Sequence, residues 1–434
     1  MAKSSLLPSI DVVHAFHRAI HIVNLPRRLK GVTAKRSGES VFVVVRQMVA
    51  GLVNGATSIV KGVARARGLV RGTVHEDVIY RTLASKTVHL WELLPRLGSK
   101  RNTYDDDLLI IDDTPLPKPR AKRMAGLSFH YSTTARKTVH GLCMVGLYQR
   151  GTAIRGFVGA HLKIGSKSKP GTGRRGRPSL AETDARRLTK PMLALKLVKK
   201  VIKAGNRAKH VAFDSAYFGR PLLNGLRALG LTCYTRAKAN NVFWIDGVKI
   251  KALPWAKEMR SYKLYRNTDI AYSSAIAEMK GFGPVKLVRV RYLPTGEKKT
   301  DYAVLVCTDP TVSACKIIER YLKRWSVEVG FRNAKSECGL EKVHVRSFLS
   351  IQNYLATSLF TLRVVRLMQH LIGRTRISVP RLVENLRLAI QGVFDGNSLV
   401  FCGVDGESMI STAISTQRPP GTMIRSGVQC YCGT

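Results

Sequence analysis

The chain has 434 residues, 45% of them apolar, and 72 Lys and Arg against 28 Asp and Glu give a formal charge of +44. That apolar share supports buried cores and excludes wholesale disorder, and the length allows roughly two to four domains. No run of 18 apolar residues occurs, since the best stretch, 40–53, is broken by Arg46 and Gln47; a membrane span is not expected.

The N-terminal residues Met1 to Pro8 lack the apolar core and cleavage site of a secretory leader. The eight Cys form no C-x-x-C pair, so a reduced cytoplasmic protein without a zinc ribbon is expected. The charge surplus calls for a polyanion, and nucleic acid is the expected partner. Residues 1–100 pattern as helices over 12–23, 42–64 and 75–97 with basic turns between them, which suits a helical DNA-binding region. His14, His17 and His21 share a helix face, but no fourth ligand accompanies them, so no zinc site is expected there.

Leu108-Leu-Ile-Ile-Asp112-Asp113-Thr114-Pro115 patterns as a buried strand ending in acids. Strands over 139–149 and 153–164 follow, and a basic Gly/Pro loop over 165–178 carries Arg174, Arg175 and Arg177 in an R-R-G-R-P run expected to touch DNA. A basic helix over 183–204 leads into a strand ending at Asp214, then a helix over 219–229 and a strand over 232–235. The stretch 231–307 is β-rich and closes in a hairpin turned at 294–299. Asp309-Pro310 predicts the start of one long helix stopped by Gly339. An apolar helix over 351–391 and a Gly/Ser-rich tail complete the chain.

On that long helix Tyr321, Arg324, Glu328 and Lys335 fall within a stripe of about 60° at ~100° per residue. Val327, Phe331, Ala334 and Cys338 form an adjoining apolar stripe. Taken alone, the charged stripe is accounted for by a solvated face whose Arg324–Glu328 pair contributes about 0.3–0.5 kcal/mol.

The spacing Tyr321-x2-Arg324-x3-Glu328-x6-Lys335 resembles the Y-R-E-K element of DDE transposases of bacterial insertion sequences. Ile111-Asp112-Asp113-Thr114 is similar to the first acid motif of that family, and Asp214-Ser-Ala216-Tyr217 to its second. The resemblance covers 105–345. It implies an α/β, RNase H-like mixed sheet flanked by helices and interrupted by a β-rich insertion, with helical N- and C-terminal regions. The implied division is an end-binding region over 1–100, catalytic core over 101–230 and 308–350, insertion over 231–307, and a C-terminal helical region and tail over 351–434.

The family usually places Gly, Ser or Ala after its first acid, where this chain has Asp113, so either Asp112 or Asp113 could be the ligand. Strand alternation points the two in opposite directions, and register with Thr114 favours Asp112. The resemblance further implies that Asp112, Asp214 and Glu328 hold two Mg²⁺, with Mn²⁺ able to substitute. Paired hard cations about 3.5–4 Å apart need carboxylate oxygens. Arg324 and Lys335 would face DNA phosphates, and Tyr321 would stack or donate to one. The implied activity is cleavage at transposon ends and transfer of the 3′-OH into target double-stranded DNA, by a homodimer in the nucleoid. A metal nuclease of the same fold without strand transfer, or a domesticated non-catalytic DNA-binding protein, are the alternatives. Some relatives flip a base onto a Trp of the insertion; Trp244 and Trp255 lie in it, with core packing the plainer role for both.

Overall fold

Strand β1 (Leu108–Pro117) divides its side chains between two cores, with Leu108 and Ile110 entering one and Leu109 and Ile111 the other. A strand covered on both faces needs apolar residues at every position, which is the physical reason for the unbroken run before the acids. The computed structural model describes residues 9–30, 39–55, 58–66, 70, 74–98, 103–132, 136–152, 155–165, 180–266, 268–292, 301–373, 377–394, 401–402 and 408–409. The mixed sheet at its centre is flanked by helices, consistent with an RNase H-like fold.

The N-terminal helices are α1 (Ser9–Val23), α2 (Leu25–Leu29), α3 (Val41–Val53), α4 (Ile59–Arg65), α5 (Glu76–Ala84) and α6 (Leu93–Leu97). The helix expected over 42–64 is two helices. Gly55 takes a φ of +75° after α3, and the Ser58 side chain caps α4 by accepting the Lys61 N–H. Where α3 and α4 cross, a Cβ on Gly62 would stand 2.2 Å from the Gly51 carbonyl oxygen, so only glycine fits. The helix expected over 75–97 likewise divides, because Ser85 turns extended after α5.

Strand β1 lies between β3 (Lys137–Arg150), antiparallel, and β5 (His210–Phe213), parallel; β6 (Thr232–Arg236) continues the parallel run beside β5. Strands β2 (Ser128–Ser132) and β4 (Arg155–Lys163) pair with successive parts of β3. The helix expected over 183–204 is broken into α7 (Leu180–Arg187) and α8 (Lys190–Lys203), with Pro191 in the first turn of α8. Helices α8 and α9 (Arg220–Arg227) cover one face of the sheet.

The β-rich stretch contributes β7 (Val242–Ile245), β8 (Val248–Lys251), α10 (Ala252–Lys257), β9 (Lys263–Leu264), β10 (Ile270–Met279), β11 (Gly283–Tyr292) and β12 (Asp301–Cys307). Strand β12 bonds antiparallel to β6, so these strands extend the central sheet in the order β6-β12-β11-β10-β7-β8. The turn expected at 294–299 lies outside the described residues.

The single helix expected from Asp309 is also two: α11 (Ala314–Leu322) and α12 (Trp325–Glu337). Ser313, not Asp309, caps α11; Asp309 accepts from the N–H and hydroxyl of Thr311. Between the two helices the N–H groups of Arg324, Ser326 and Val327 bond three residues back, a tightened turn between two α-helical segments. Tyr321 therefore lies on α11 and Glu328 and Lys335 on α12, with the Arg324 guanidinium 5.8 Å from the Tyr321 ring and bonded to Glu328. Gly339, at φ +69°, follows the end of α12. The apolar C-terminal stretch forms α13 (Phe348–Leu371) and α14 (Val379–Phe394), with Gly373 at φ +68° between them. No described helix is long and apolar enough to cross a membrane.

Candidate functional site

Asp112 stands on β1 immediately after the buried run, opposite Gly146 of β3. Gly146 has no room for a side chain, because a Cβ there would lie 2.7 Å from the Phe331 ring of α12. Gly330 meets the Tyr148 ring in the same way at 2.9 Å. These two glycines seat α12 directly on the sheet and bring its first turn beside Asp112.

The contact is made by Arg324. Its guanidinium donates to Glu328 Oε1 at 2.6 Å and to Asp112 Oδ2 at 3.4 Å. Asp214 ends β5 on the neighbouring parallel strand, and its charge reaches both Arg324 and Tyr321. Two of the acids thus meet at Arg324, and Asp214 follows the residue that pairs with Ile111, one position before Asp112, without an ion pair to Arg324 among the described residues.

Burial pushes the Asp112 carboxyl up to about 7, with the charges of Asp113 and Glu328 adding to the shift and Arg324 and the Asp113 N–H opposing it. Burial would lower Arg324, but Tyr321, Asp112, Glu328 and Asp214 together hold it above its ordinary value. Burial raises Tyr321 to about 12, so its phenol stays protonated.

Among the described residues no three His, Cys, Asp or Glu side chains are arranged to hold a metal ion as they stand. The donor set nevertheless fits a hard divalent cation. It is all oxygen, and the burial of Asp112, only partly offset by Arg324 and the Asp113 N–H, is a cost that a divalent charge would remove.

Asp113 faces the other way. Its Oδ2 accepts from Lys190 Nζ at 2.6 Å and its Oδ1 from the Tyr217 hydroxyl at 2.9 Å, with Cys143 Sγ at 3.6 Å. Tyr217 closes the short turn that begins at Asp214, so this bond ties the Asp214 turn to β1 from beneath the sheet. Lys190 escaped the sequence reading because nothing in its neighbourhood marks it. Tyr217 stood inside the second acid motif, but its partner was not legible.

Lys335 is engaged within the protein, donating to the Pro115 carbonyl at 2.9 Å and pairing with Glu341 at 3.0 Å. Arg174, Arg175 and Arg177 lie outside the described residues. Trp255 carries the Arg289 guanidinium 4.8 Å above its ring, a packing role. Trp244 sits on β7, four strand spacings from β6, about 19 Å across the sheet. Neither Trp adjoins the acids. His17 is buried, which lowers its pKa to about 4, so it stays neutral on α1.

Residues 73–278 match a family model described as DDE superfamily endonuclease. The match spans Asp112 and Asp214 and ends before Glu328. It supports a nuclease or transposase type of function. No curated protein matches the chain.

Proposed function

We propose that the chain is a DNA transposase of the cut-and-paste type, with Asp112, Asp214 and Glu328 as its catalytic carboxylates. The observation that carries the proposal is the Arg324 bridge, which links an acid from a central strand to one from a helix beside a third at the end of the adjacent parallel strand. Such a set suits phosphodiester chemistry, in which charge on the attacking and leaving oxygens must be neutralised.

Two divalent ions, Mg²⁺ or Mn²⁺, would supply a nucleophile at neutral pH and electrostatic stabilisation of the phosphate. The protein's own groups do the rest. Asp112, held at the sheet face, Asp214 on its turn and Glu328 on α12 provide the oxygen donors. Arg324, which pairs with Asp112 and Glu328 in the free protein, would be available to a phosphate with cations bound to those acids. Tyr321 remains protonated and can donate a hydrogen bond to the same strand. Joining two ends implies two copies of the chain in the DNA complex.

The test is incubation with duplex DNA from either side of the chain's own gene, with Mg²⁺, scored for nicks and joined products. The proposal expects both, and expects Asp214→Ala to abolish them while duplex affinity stays within a few-fold. Nicks without joined products would favour the endonuclease reading suggested by the family match. Binding indifferent to Mg²⁺, with no cleavage, would sink the catalytic assignment.

A further inference from the structure

The face of the sheet that carries Asp112 continues past it into an uncovered pair of aromatics. Strand β3 fixes the geometry. Asp112 pairs with Gly146, while Phe129 and Tyr131 of β2 pair with His140 and Thr138. His140 and Thr138 lie six and eight residues from Gly146 along one unbroken strand. Even separations keep side chains on one face, so Phe129 and Tyr131 share the face of Asp112 and α12. His130, between them, points to the opposite face, where its ring bonds the Ser128 hydroxyl at 2.7 Å.

Among the described residues these aromatics have no cover. Phe129 is 73% exposed and Tyr131 64% exposed, and beneath Phe129 the His140 ring sits 5.1 Å away, tilted, as a backing. Two large rings on alternate positions of an edge strand cost solvation and invite aggregation unless a partner covers them.

The surrounding charge says which partner. From Thr114 to Ala181 the sequence contains no Asp or Glu, and it contains 14 Lys and Arg. At the chain's own frequency of 28 acids in 434 residues, about four would be expected in those 68 positions. Arg120, Lys122 and Arg123 are exposed on the turn entering β2, and Arg136 and Lys137 are exposed just beyond it. Among the described residues none of these five forms an ion pair. An apolar protein surface would find no complementary feature in such a rim, whereas a polyanion with flat apolar faces matches both parts.

We infer that Phe129 and Tyr131 form a stacking platform for unpaired DNA bases, with the surrounding cations holding the strand's phosphates. The inference rests on the proposed action on DNA and adds a place for a strand segment leaving the acids. Along β3 the platform lies about 20 Å from Asp112, at ~3.3 Å per residue, the length of roughly six nucleotides. Bases inside a duplex hide their faces, so the platform is selective for frayed or single-stranded DNA.

The test compares three fluorescent probes by anisotropy: a mixed-sequence single strand, the same strand with abasic sites throughout, and a blunt duplex. The wild-type chain is expected to bind the base-bearing strand at least tenfold more tightly than the abasic one. Phe129→Ala with Tyr131→Ala should remove that ratio and leave the salt slope unchanged. Phe129→Trp with Tyr131→Trp should restore it. Both positions are exposed, so circular dichroism should show an unaltered fold. A ratio that survives the double alanine change, or a change of sedimentation coefficient without a change in strand affinity, would overturn the inference; the second result would make the surface a contact between protein copies. Mg²⁺-dependent nicking of the blunt duplex, measured on the same samples, reports on the catalytic proposal separately.

Discussion

Asp112 pays for its position, and the cost depends on pH. Its folded pKa, raised by burial to about 7, lies above the unfolded value near 3.9. Between those values the folded state holds more protons, so this residue's contribution to stability is full below about pH 4 and is lost as pH rises through 7. Asp112→Asn is therefore expected to stabilise the metal-free chain by a margin that grows from pH 4 to 7 and then levels off, at roughly 2–4 kcal/mol. Chemical denaturation at several pH values measures it, and Mg²⁺ should shrink the margin by stabilising only the wild type. His17, His130 and His210, each lowered to about 4 mainly by burial, act in the opposite sense, losing stability as pH falls from 6.5 to 4. The comparison with Asn cancels their effect. At this scale much was legible in the sequence. Alternation along Leu109 to Asp113 separates the two carboxylates, and in the structure one turns to Arg324 while the other turns to Lys190 and Tyr217. What sequence could not supply was that Arg324 reaches an acid 212 positions away as well as the neighbour one turn on.

Among the elements, α12 is held by absence of side chains as much as by presence. Gly330→Ala would put a methyl group within 2.9 Å of the Tyr148 ring, so α12 must lift from the sheet. A loss of about 1–3 kcal/mol is expected, together with a fall in cleavage larger than the unfolded fraction explains, because Glu328 moves with the helix. Thermal melts and single-turnover cleavage below the melting range would separate the two effects. Tyr217→Phe leaves Asp113 with Lys190 and the Cys143 thiol and unties the Asp214 turn; about 1–2 kcal/mol should be lost. The break between α11 and α12 was not legible, since neither Pro nor Gly marks it and Lys323 and Arg324 are good helix formers. By contrast, Gly339 marks an element end at the sequence level, and α12 stops beside it.

Across the whole molecule, the charge of +44 makes binding to duplex DNA steeply salt-dependent. With six to ten phosphates contacted, affinity should fall by about 10³–10⁵ between 50 and 200 mM salt. A shallow slope in a titration of blunt duplex would argue against the nucleic-acid reading of the charge. The regions read from the sequence share one interior in the structure. Val12, Phe16 and Ile20 of α1, Val44 and Met48 of α3, Val327 and Phe331 of α12, and Leu359 of α13 all lie in one apolar cluster. The N-terminal helices are thus packed into the same interior as the helix bearing Glu328. For the proposed function this has an evolutionary cost: among the described residues the shared interior offers no seam along which a ready-made recognition module could be exchanged. A lineage of such proteins acquires a new preference for DNA ends only by gradual rewriting of outward-facing positions, while the inward-facing ones stay hostage to the chemistry they support.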